Sequence, residues 1–228
     1  MKKILTGIAV FITMAVICVF SAGAETFGDY KYEVLEDGTV SITDYTGSAS
    51  VLEIPSEIGG KAVTSIGDLA FSECKSLTSL SIPDSVTSIG RDAFSHCHLL
   101  TNIVIPSEVT TIGTSAFSHC QNLESITLPT KLEAIPFLAF ANCKSLTEII
   151  IPNGVVTIEA SAFLDSAITS ITIPVSVQKI DGNVFSGCTF LEYIIYEGTT
   201  EQWNAIDKSD YWYEGVDSKV VCIGDVNT

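Results

Sequence analysis

The sequence is poor in basic residues, with 11 Lys and Arg against 27 Asp and Glu among 228 residues and a formal net charge of −16. The cations form no basic stripe, and Lys and Arg clusters are what neutralise the phosphates of nucleic acids. The composition therefore argues against a nucleic-acid partner. The acidic residues are also scattered, which indicates a solubilising charge on an exported protein or an anionic surface that attracts cationic partners.

The sequence also lacks the motifs on which enzyme and metal chemistry usually depend. It contains no G-x-S-x-G, H-E-x-x-H, C-x-x-C or phosphate-binding loop. Of its three histidines, His96 and His119 occupy equivalent positions, each directly before a cysteine. Because that cysteine is expected to face the core, the histidines are interpreted as surface residues, not metal ligands. We therefore expect a protein that is not an enzyme and has no catalytic residues, metal site or cofactor.

Only one long apolar run is present, from Ile4 to Phe20, preceded by Lys2 and Lys3 and followed by the small residues Ala22 and Ala24. This pattern predicts a secretory signal peptide over residues 1–24, cleaved after Ala24. The alternative is a retained membrane anchor, because the run reaches the lower end of the length needed to span a bilayer. Nothing after residue 24 is long and apolar enough to do so, so we expect no membrane span after cleavage and a secreted or cell-surface location.

Internal repetition is the strongest feature of the sequence. Six phenylalanines recur at intervals of 23 or 22 residues: Phe71, Phe94, Phe117, Phe140, Phe163 and Phe185. An isoleucine precedes each by five residues: Ile66, Ile89, Ile112, Ile135, Ile158 and Ile180. Prolines recur in the same register at Pro83, Pro106, Pro129, Pro152 and Pro174, with an earlier one at Pro55. Columns that keep one register predict a repeat solenoid.

Each unit reads L-x-x-I-x-I-P-x-x-V-x-x-I-x-x-x-A-F-x-x-C. The first part alternates as a strand does, so that Leu80 and Ile82 point inward while Ser79 and Ser81 point outward. Proline has no N–H to donate and ends the strand. V-x-x-I predicts a second short extended segment, and A-F-x-x-C predicts about one helical turn that returns the chain. One unit is then one coil, and coils must stack because a single coil buries too little apolar surface.

The ends of the repeat region are interpreted as caps. Residues 25–60 form an N-terminal cap and degenerate first repeat, with a hairpin of two alternating segments around Asp37-Gly38 and a loop insertion at Gly59-Gly60. Residues 61–196 carry the repeats, and residues 197–228 form a C-terminal cap and tail. After a seventh strand from Leu191, residues 197–216 are expected to replace the repeat. Five apolar residues could cover the last coil or form a sugar-stacking platform: Trp203, Ile206, Tyr211, Trp212 and Tyr213.

The six cysteines after residue 24 would suggest disulfides in an exported protein. Four of them share one repeat column: Cys74, Cys97, Cys120 and Cys143. Coils repeat at about 4.8 Å, which places adjacent Cβ atoms slightly beyond the range that a disulfide prefers. The column is therefore predicted to be a buried thiol ladder. The state of Cys188 and Cys222 stays open. Two departures from the pattern are Ser166, in the cysteine position of a unit one residue short, and Pro136, in a glycine position.

The repeats resemble leucine-rich repeats of the BspA type. The likeness covers roughly Tyr30 to Val216, in runs such as Ile82-Pro83-Asp84-Ser85-Val86-Thr87-Ser88-Ile89-Gly90 followed by Ala93-Phe94-Ser95-His96-Cys97. It implies a leucine-rich-repeat-like solenoid of mostly short β-strands with one-turn helical returns, an N-terminal hairpin cap and a C-terminal cap. It also implies an exported bacterial adhesion or protein-interaction module. Its partner would be an extracellular or cell-surface protein, such as host matrix, or a glycan.

Solenoids bind along the outward positions of their strands. We expect a partner face formed by Ser79, Ser81, Asn102, Val104, Ser125, Thr127, Glu148, Ile150, Ser170, Thr172, Tyr193 and Ile195. Val104, Ile150, Tyr193 and Ile195 are the expected anchors for a protein partner. The alternative is an ordinary strand surface, where Thr and Val are favoured in any case.

The last residues support a second functional hypothesis. Gly224-Asp225-Val226-Asn227 is read as an exposed tail, but Asp-x-Asn also begins a calcium loop. The same residues resemble the opening of a dockerin module. The chain would then be an accessory or scaffold domain of a larger carbohydrate-handling assembly.

Overall fold

A computed structural model describes residues 24–213 and 217–227, so almost all of the expected signal peptide lies outside the described residues. Within those ranges no helix combines the length and hydrophobicity needed to span a membrane. The strands, in chain order, are β1 (Glu25–Phe27), β2 (Tyr30–Val34), β3 (Val40–Tyr45), β4 (Val51–Glu53), β5 (Glu57–Ile58), β6 (Lys61–Ile66), β7 (Ser79–Ser81), β8 (Ser88–Ile89), β9 (Asn102–Val104), β10 (Thr111–Ile112), β11 (Ser125–Thr127), β12 (Ala134–Ile135), β13 (Glu148–Ile150), β14 (Thr157–Ile158), β15 (Ser170–Ile173), β16 (Lys179–Ile180), β17 (Tyr193–Tyr196), β18 (Asp207–Lys208) and β19 (Lys219–Cys222). One α-helix, α1 (Thr200–Ala205), and one 3₁₀ helix, Ile223–Asn227, are found in the described ranges.

The chain is a solenoid in which each coil has two strand sides. The leucine face contains the strands of the L-x-x-I-x-I segments: β4, β7, β9, β11, β13, β15, β17 and β19. The valine face contains those of the V-x-x-I segments: β3, β6, β8, β10, β12, β14, β16 and β18. Paired strands within each face are parallel and place equivalent residues side by side, as Leu52 and Leu80 show. The predicted solenoid of short strands is confirmed.

The third side of the coil, which we call the turn face, differs from the predicted helical turn. It consists of consecutive hydrogen-bonded turns in which two residues per coil are left-handed, as at Leu69 (φ 62°) and Glu73 (φ 59°). A left-handed residue interrupts an α-helix. The N–H groups of Leu69, Phe71 and Glu73 instead donate to carbonyls of the next coil at 2.8–2.9 Å. Bonds between coils thus replace bonds within a helix.

The core is built from columns of identical side chains. The six repeat phenylalanines are buried, and neighbouring ring centroids along the column are 5.4–5.8 Å apart with interplanar angles of at most 12°. Tyr45 extends this column at one end, 5.5 Å from Phe71, and Trp212 extends it at the other, 6.0 Å from Phe185. Offset stacking at these separations is favourable for aromatic rings. Apolar Leu, Ile and Val columns surround the rings.

The N-terminal residues form the predicted hairpin of β2 and β3, to which β1 adds a further antiparallel strand. The loop insertion predicted at the glycine pair takes the form of a tight hairpin turn. Gly59 (φ +60°) and Gly60 (φ +74°) make a two-residue turn that joins β5 to β6. Positive φ at both central residues is the geometry that tight hairpins require, and glycine adopts it without steric cost.

Residues 197–213 continue the solenoid, so the expectation that they replace the repeat is wrong. β18 pairs with β16, and β19 pairs with β17, so both faces extend by one more strand. Trp203 and Ile206 are buried. Tyr211 and Tyr213 are exposed, and the ring of Tyr213 lies 4.4 Å from that of Trp212. The role of the terminal residues as caps stays a prediction.

Pro136 interrupts the valine face. In the three units before it, the N–H of Gly67, Gly90 or Gly113 donates to an isoleucine carbonyl of the preceding coil at 2.7–2.8 Å. Proline has no N–H to make this bond, and the hydrogen-bonded sheet ends at β10 and restarts at β12. The leucine face is interrupted one strand further along the chain, between β11 and β13. Turn-face bonds such as that from Ser115 N to Phe137 O still link the coils of β10 and β12.

The glycine column gives a stability prediction. A Cβ on Gly113 would lie 2.4 Å from the backbone N of Arg91, whereas a Cβ on Gly182 would lie 3.4 Å from its nearest neighbour, Asp210 O. Gly113→Ala should therefore lower the free energy of unfolding by about 1–3 kcal/mol, and the matched control Gly182→Ala should cause no loss. Equal urea midpoints for the two variants would contradict this assignment.

Candidate interaction surface

The outward side chains of the leucine face form two rows along the solenoid. The first row contains Val51, Ser79, Asn102, Ser125, Glu148, Ser170, Tyr193 and Lys219. The second row contains Glu53, Ser81, Val104, Thr127, Ile150, Thr172, Ile195 and Val221. All twelve residues predicted for this face lie in these rows. That they bind a partner stays a prediction.

The apolar members of the rows differ in exposure. Ile150 is 71% exposed and Val104 66% exposed, which is unusually open for aliphatic side chains on a strand. Tyr193 is 45% exposed. Ile195 is only half-exposed, since Thr172 and Val221 lie beside it on the neighbouring strands. Of the four predicted anchors, Ile150 and Val104 therefore offer the most apolar surface.

Four members of the rows were not predicted from the sequence. Val51 and Glu53 flank Leu52 on β4, and the same alternation that placed Ser79 and Ser81 would have found them. Lys219 and Val221 belong to β19, whose segment carries neither the repeat leucine nor the proline. Only the hydrogen-bonded pairing with β17 places them on the face.

The thiol column lies in the core beside the phenylalanines, and the six cysteines after residue 24 are free. The Sγ atoms of Cys97, Cys120, Cys143 and Cys188 each lie 2.9–3.3 Å from a phenylalanine carbonyl of a preceding coil, to which the thiols donate. The predicted buried thiol ladder is confirmed for Cys97, Cys120 and Cys143, whereas Cys74 is half-exposed. Cys188 belongs to it as well, three residues after Phe185, although the short unit before it hid the spacing.

Burial controls the acidity of these thiols. It raises the pKa of Cys120 to about 12, and it also raises the pKa of Cys143 and Cys188. Removing a thiolate from water is unfavourable, so the neutral form is retained. Cys120, Cys143 and Cys188 can therefore fill space and satisfy carbonyls, but they are poor nucleophiles at neutral pH.

The histidines lie on the turn face. The rings of His96 and His119 stack with centroids 4.4 Å apart, and the Nδ1 atom of His98 lies 3.1 Å from the carbonyl oxygen of His119. Partial burial, with the neighbouring histidines and Lys144, lowers the pKa of His119. In residues 24–213 and 217–227 no group of three or more His, Cys, Asp or Glu side chains is arranged to hold a metal ion.

Ile223 and Asp225 are exposed, as expected of a tail, but the C-terminal residues are also hydrogen-bonded to the last coil. The N–H of Gly224 donates to the carbonyl of Gly198 at 3.0 Å. The carboxylate of Asp225 accepts the N–H of Thr200 at 3.1 Å, at the start of α1. A calcium loop that used Asp225 as a ligand would have to compete with this contact.

A family model described as the BspA type leucine rich repeat region matches residues 64–192 in six copies. The chain belongs to the BspA-type leucine-rich repeat family. A solved leucine-rich repeat protein from T. pallidum is 30% identical with a TM-score of 0.74, and the match covers 82% of this chain and 86% of that one.

Two further solved structures share the fold of this BspA-type chain. A leucine-rich repeat protein from Eubacterium ventriosum has a TM-score of 0.67 at 23% identity, covering 84% of this chain and 51% of that one. The pneumococcal vaccine antigen PcpA has a TM-score of 0.50 at 15% identity, covering 87% and 82%. A comparison with proteins of curated function gives no match.

The thiol column predicts how the folded protein reacts with thiol reagents. Of the six cysteines after residue 24, Cys74 and Cys222 are half-exposed and the other four are buried. At pH 8 only Cys74 and Cys222 should react rapidly with a chromogenic disulfide reagent, because buried neutral thiols are poor nucleophiles. All six should react in denaturant. Rapid modification of Cys120 in the native protein, located by peptide mass mapping, would refute the buried ladder.

The raised thiol pKa values also predict a loss of stability in alkali. The ordinary thiol pKa is 9.0, whereas that of buried Cys120 is about 12. Above pH 9 thiols therefore ionise in the unfolded chain first, and the free energy of unfolding should fall as the pH rises towards 12. Urea titrations between pH 8 and 11 measure this slope. Cys120→Ser should reduce the dependence of the free energy of unfolding on pH. An unchanged dependence would argue against the raised pKa of Cys120.

Proposed function

We propose that this BspA-type chain is an exported, cell-surface binding module without enzymatic activity, which captures an extracellular or cell-surface protein on its leucine face. The single observation that supports this best is the exposure of Ile150 and Val104 in a row of register-aligned side chains. Export is supported by the signal-like segment at residues 1–24.

The chemistry of the leucine face favours a protein partner with its own apolar side chains. Backbone groups of the face are used in strand pairing, as the parallel ladder of β13, β15 and β17 shows, so recognition depends on side chains. Burying an exposed valine or isoleucine side chain contributes about 1.5–3 kcal/mol. The hydroxyl groups of Ser125 and Thr127 around these residues can add hydrogen bonds at a polar rim.

Host matrix proteins are the partners that the family resemblance implies. The second hypothesis, an accessory domain of a dockerin-bearing assembly, depends on the four residues from Gly224 to Asn227. Asp225 already accepts hydrogen bonds from Thr200 within the last coil, so no observation on this segment favours the second hypothesis.

The proposal predicts that a charge at the centre of the face abolishes capture. Ile150→Glu should weaken binding to immobilised fibronectin, laminin or collagen at least about tenfold, because a buried unpaired carboxylate is costly. The matched control is Val175→Glu, which changes another exposed aliphatic residue outside the leucine face. Binding is measured by biolayer interferometry, with melting temperatures to confirm folding. The proposal would be disproved if Ile150→Glu bound these proteins as well as the unmodified chain does. It would also be disproved if none of the three proteins bound the unmodified chain.

A further inference from the structure

A cleft of about 700 Å³ opens on the valine face near the N-terminal end of the solenoid. Its floor carries a row of hydroxyl side chains in strand register: Ser41, Ser65, Ser88 and Thr111. Glu33 and Leu35 line it from the hairpin side, and Asp68 and Arg91 line it at the turns that follow the strands. None of these residues was predicted from the sequence to form a site.

The cleft exists because the floor lacks side chains where other coils have them. Gly67, Gly90 and Gly113 lie beside the hydroxyl row. In the next three coils their positions are held by Pro136, Glu159 and Asp181. The space therefore spans the coils from β3 to β10 and ends where the glycine column ends.

One hydroxyl on this floor has no protein partner. The Ser41 side chain is only 4% exposed, yet its Oγ forms no hydrogen bond with any residue that the structure describes. A Cβ on Gly67 would lie 3.3 Å from this oxygen, which places the hydroxyl on the floor beside the glycine column. Among the described residues no side-chain oxygen or nitrogen that is closed to solvent lacks a hydrogen-bond partner, so the Ser41 Oγ keeps a small opening to the cleft. Ser41 is therefore suited to a ligand group that enters the cleft.

The remaining hydroxyls also keep hydrogen-bonding capacity. Ser88 donates to Ser65 at 3.0 Å, which leaves the Ser65 hydroxyl hydrogen available. The floor therefore offers donors and acceptors at the coil repeat, about 4.8 Å apart. Half-buried Leu35 adds apolar surface on the hairpin side. A ligand that fits must present hydroxyl groups along its length and C–H surface towards Leu35.

The charges of the cleft disfavour an anionic ligand. Glu33 and Asp68 are acidic, and the one guanidinium lies beside Asp68, with Arg91 Nε 3.6 Å from Asp68 Oδ2. Phosphate recognition needs unpaired cations or free N–H groups. A neutral ligand is compatible with this pairing, and the carboxylates can accept hydrogen bonds from its hydroxyl groups.

An extended peptide fits the cleft less well. Strand addition needs free backbone groups, but Gly90 N donates to Ile66 O at 2.7 Å and Gly113 N to Ile89 O at 2.8 Å. The floor also has a nearly uniform lining of small residues, without separate pockets for alternate side chains. Recognition through evenly spaced hydroxyls suits a chain that is itself polyhydroxylated.

We propose that this cleft binds a neutral oligosaccharide, laid along the solenoid across the coils from β3 to β10. Ser41 and Ser65 form hydrogen bonds with sugar hydroxyls, and Leu35 contacts the C–H edge of a ring. The cleft lies on the valine face, so this site is separate from the leucine-face surface of the proposed function.

The test titrates the protein with cellohexaose, maltohexaose and chitohexaose by isothermal calorimetry. Ser88→Trp fills the cleft and should weaken binding of the preferred saccharide at least about tenfold. Thr157→Trp is the matched control, because Thr157 occupies the same strand position on β14, beyond Pro136. Ser41→Ala should weaken binding about three- to tenfold without lowering the melting temperature, since it removes a hydroxyl that has no protein partner.

Each outcome decides the proposal. The proposal is supported if one hexasaccharide binds the unmodified protein, fails to bind Ser88→Trp and still binds both Thr157→Trp and Ile150→Glu. This result would hold whether or not the leucine face binds a protein. No binding of any of the three saccharides would overturn it. Saccharide binding that Ser88→Trp leaves unchanged would place the sugar outside the cleft and would also overturn the proposal. Binding of a Gly-Ser repeat peptide in this cleft, without binding of any saccharide, would overturn it as well.

Discussion

The structure depends on one constraint, which is that every coil must place the same side chain directly above its equivalent in the next coil. The stacked phenylalanines, with centroids 5.4–5.8 Å apart, show how strictly this register is kept. A single coil buries too little apolar surface to be stable alone, so stability arises between coils. The thiol-to-carbonyl contacts and the bonds of the turn face depend on the same register.

Because of this constraint, inward positions are reserved for packing and outward positions are available for binding. The inward columns are occupied by packing, and the buried cysteines belong to that packing although their residue type often carries chemistry. The outward positions are free to vary. On the leucine face the outward positions carry side chains of different kinds, and Ile150 and Val104 project from a hydroxyl-rich surface. On the valine face the absence of side chains at three glycines leaves a cleft. One repeat thus supports two surfaces of different chemistry.

The irregular units show how much local irregularity the stacking register tolerates. Pro136 removes one donor and coincides with the interruption of the valine face, yet the turn-face bonds and the stacking of Phe117 on Phe140 at 5.7 Å continue across the interface. The short unit after Phe163 replaces a thiol by Ser166, whose hydroxyl lies 3.3 Å from the Cys188 sulfur. Packing on the remaining sides keeps the coils aligned.

The sequence by itself determined the repeat length, the two strand segments of each coil, the inward phenylalanine and cysteine columns and the twelve outward residues, because these depend on periodicity alone. Only the tertiary structure decided the left-handed turns at Leu69 and Glu73, the extra coil with β18 and β19, and the unpartnered hydroxyl of Ser41. Each of these depends on bonds or gaps between coils, which no single unit of the sequence encodes. Glycines that look like spacers within one repeat become the floor of a cleft only when three coils are stacked.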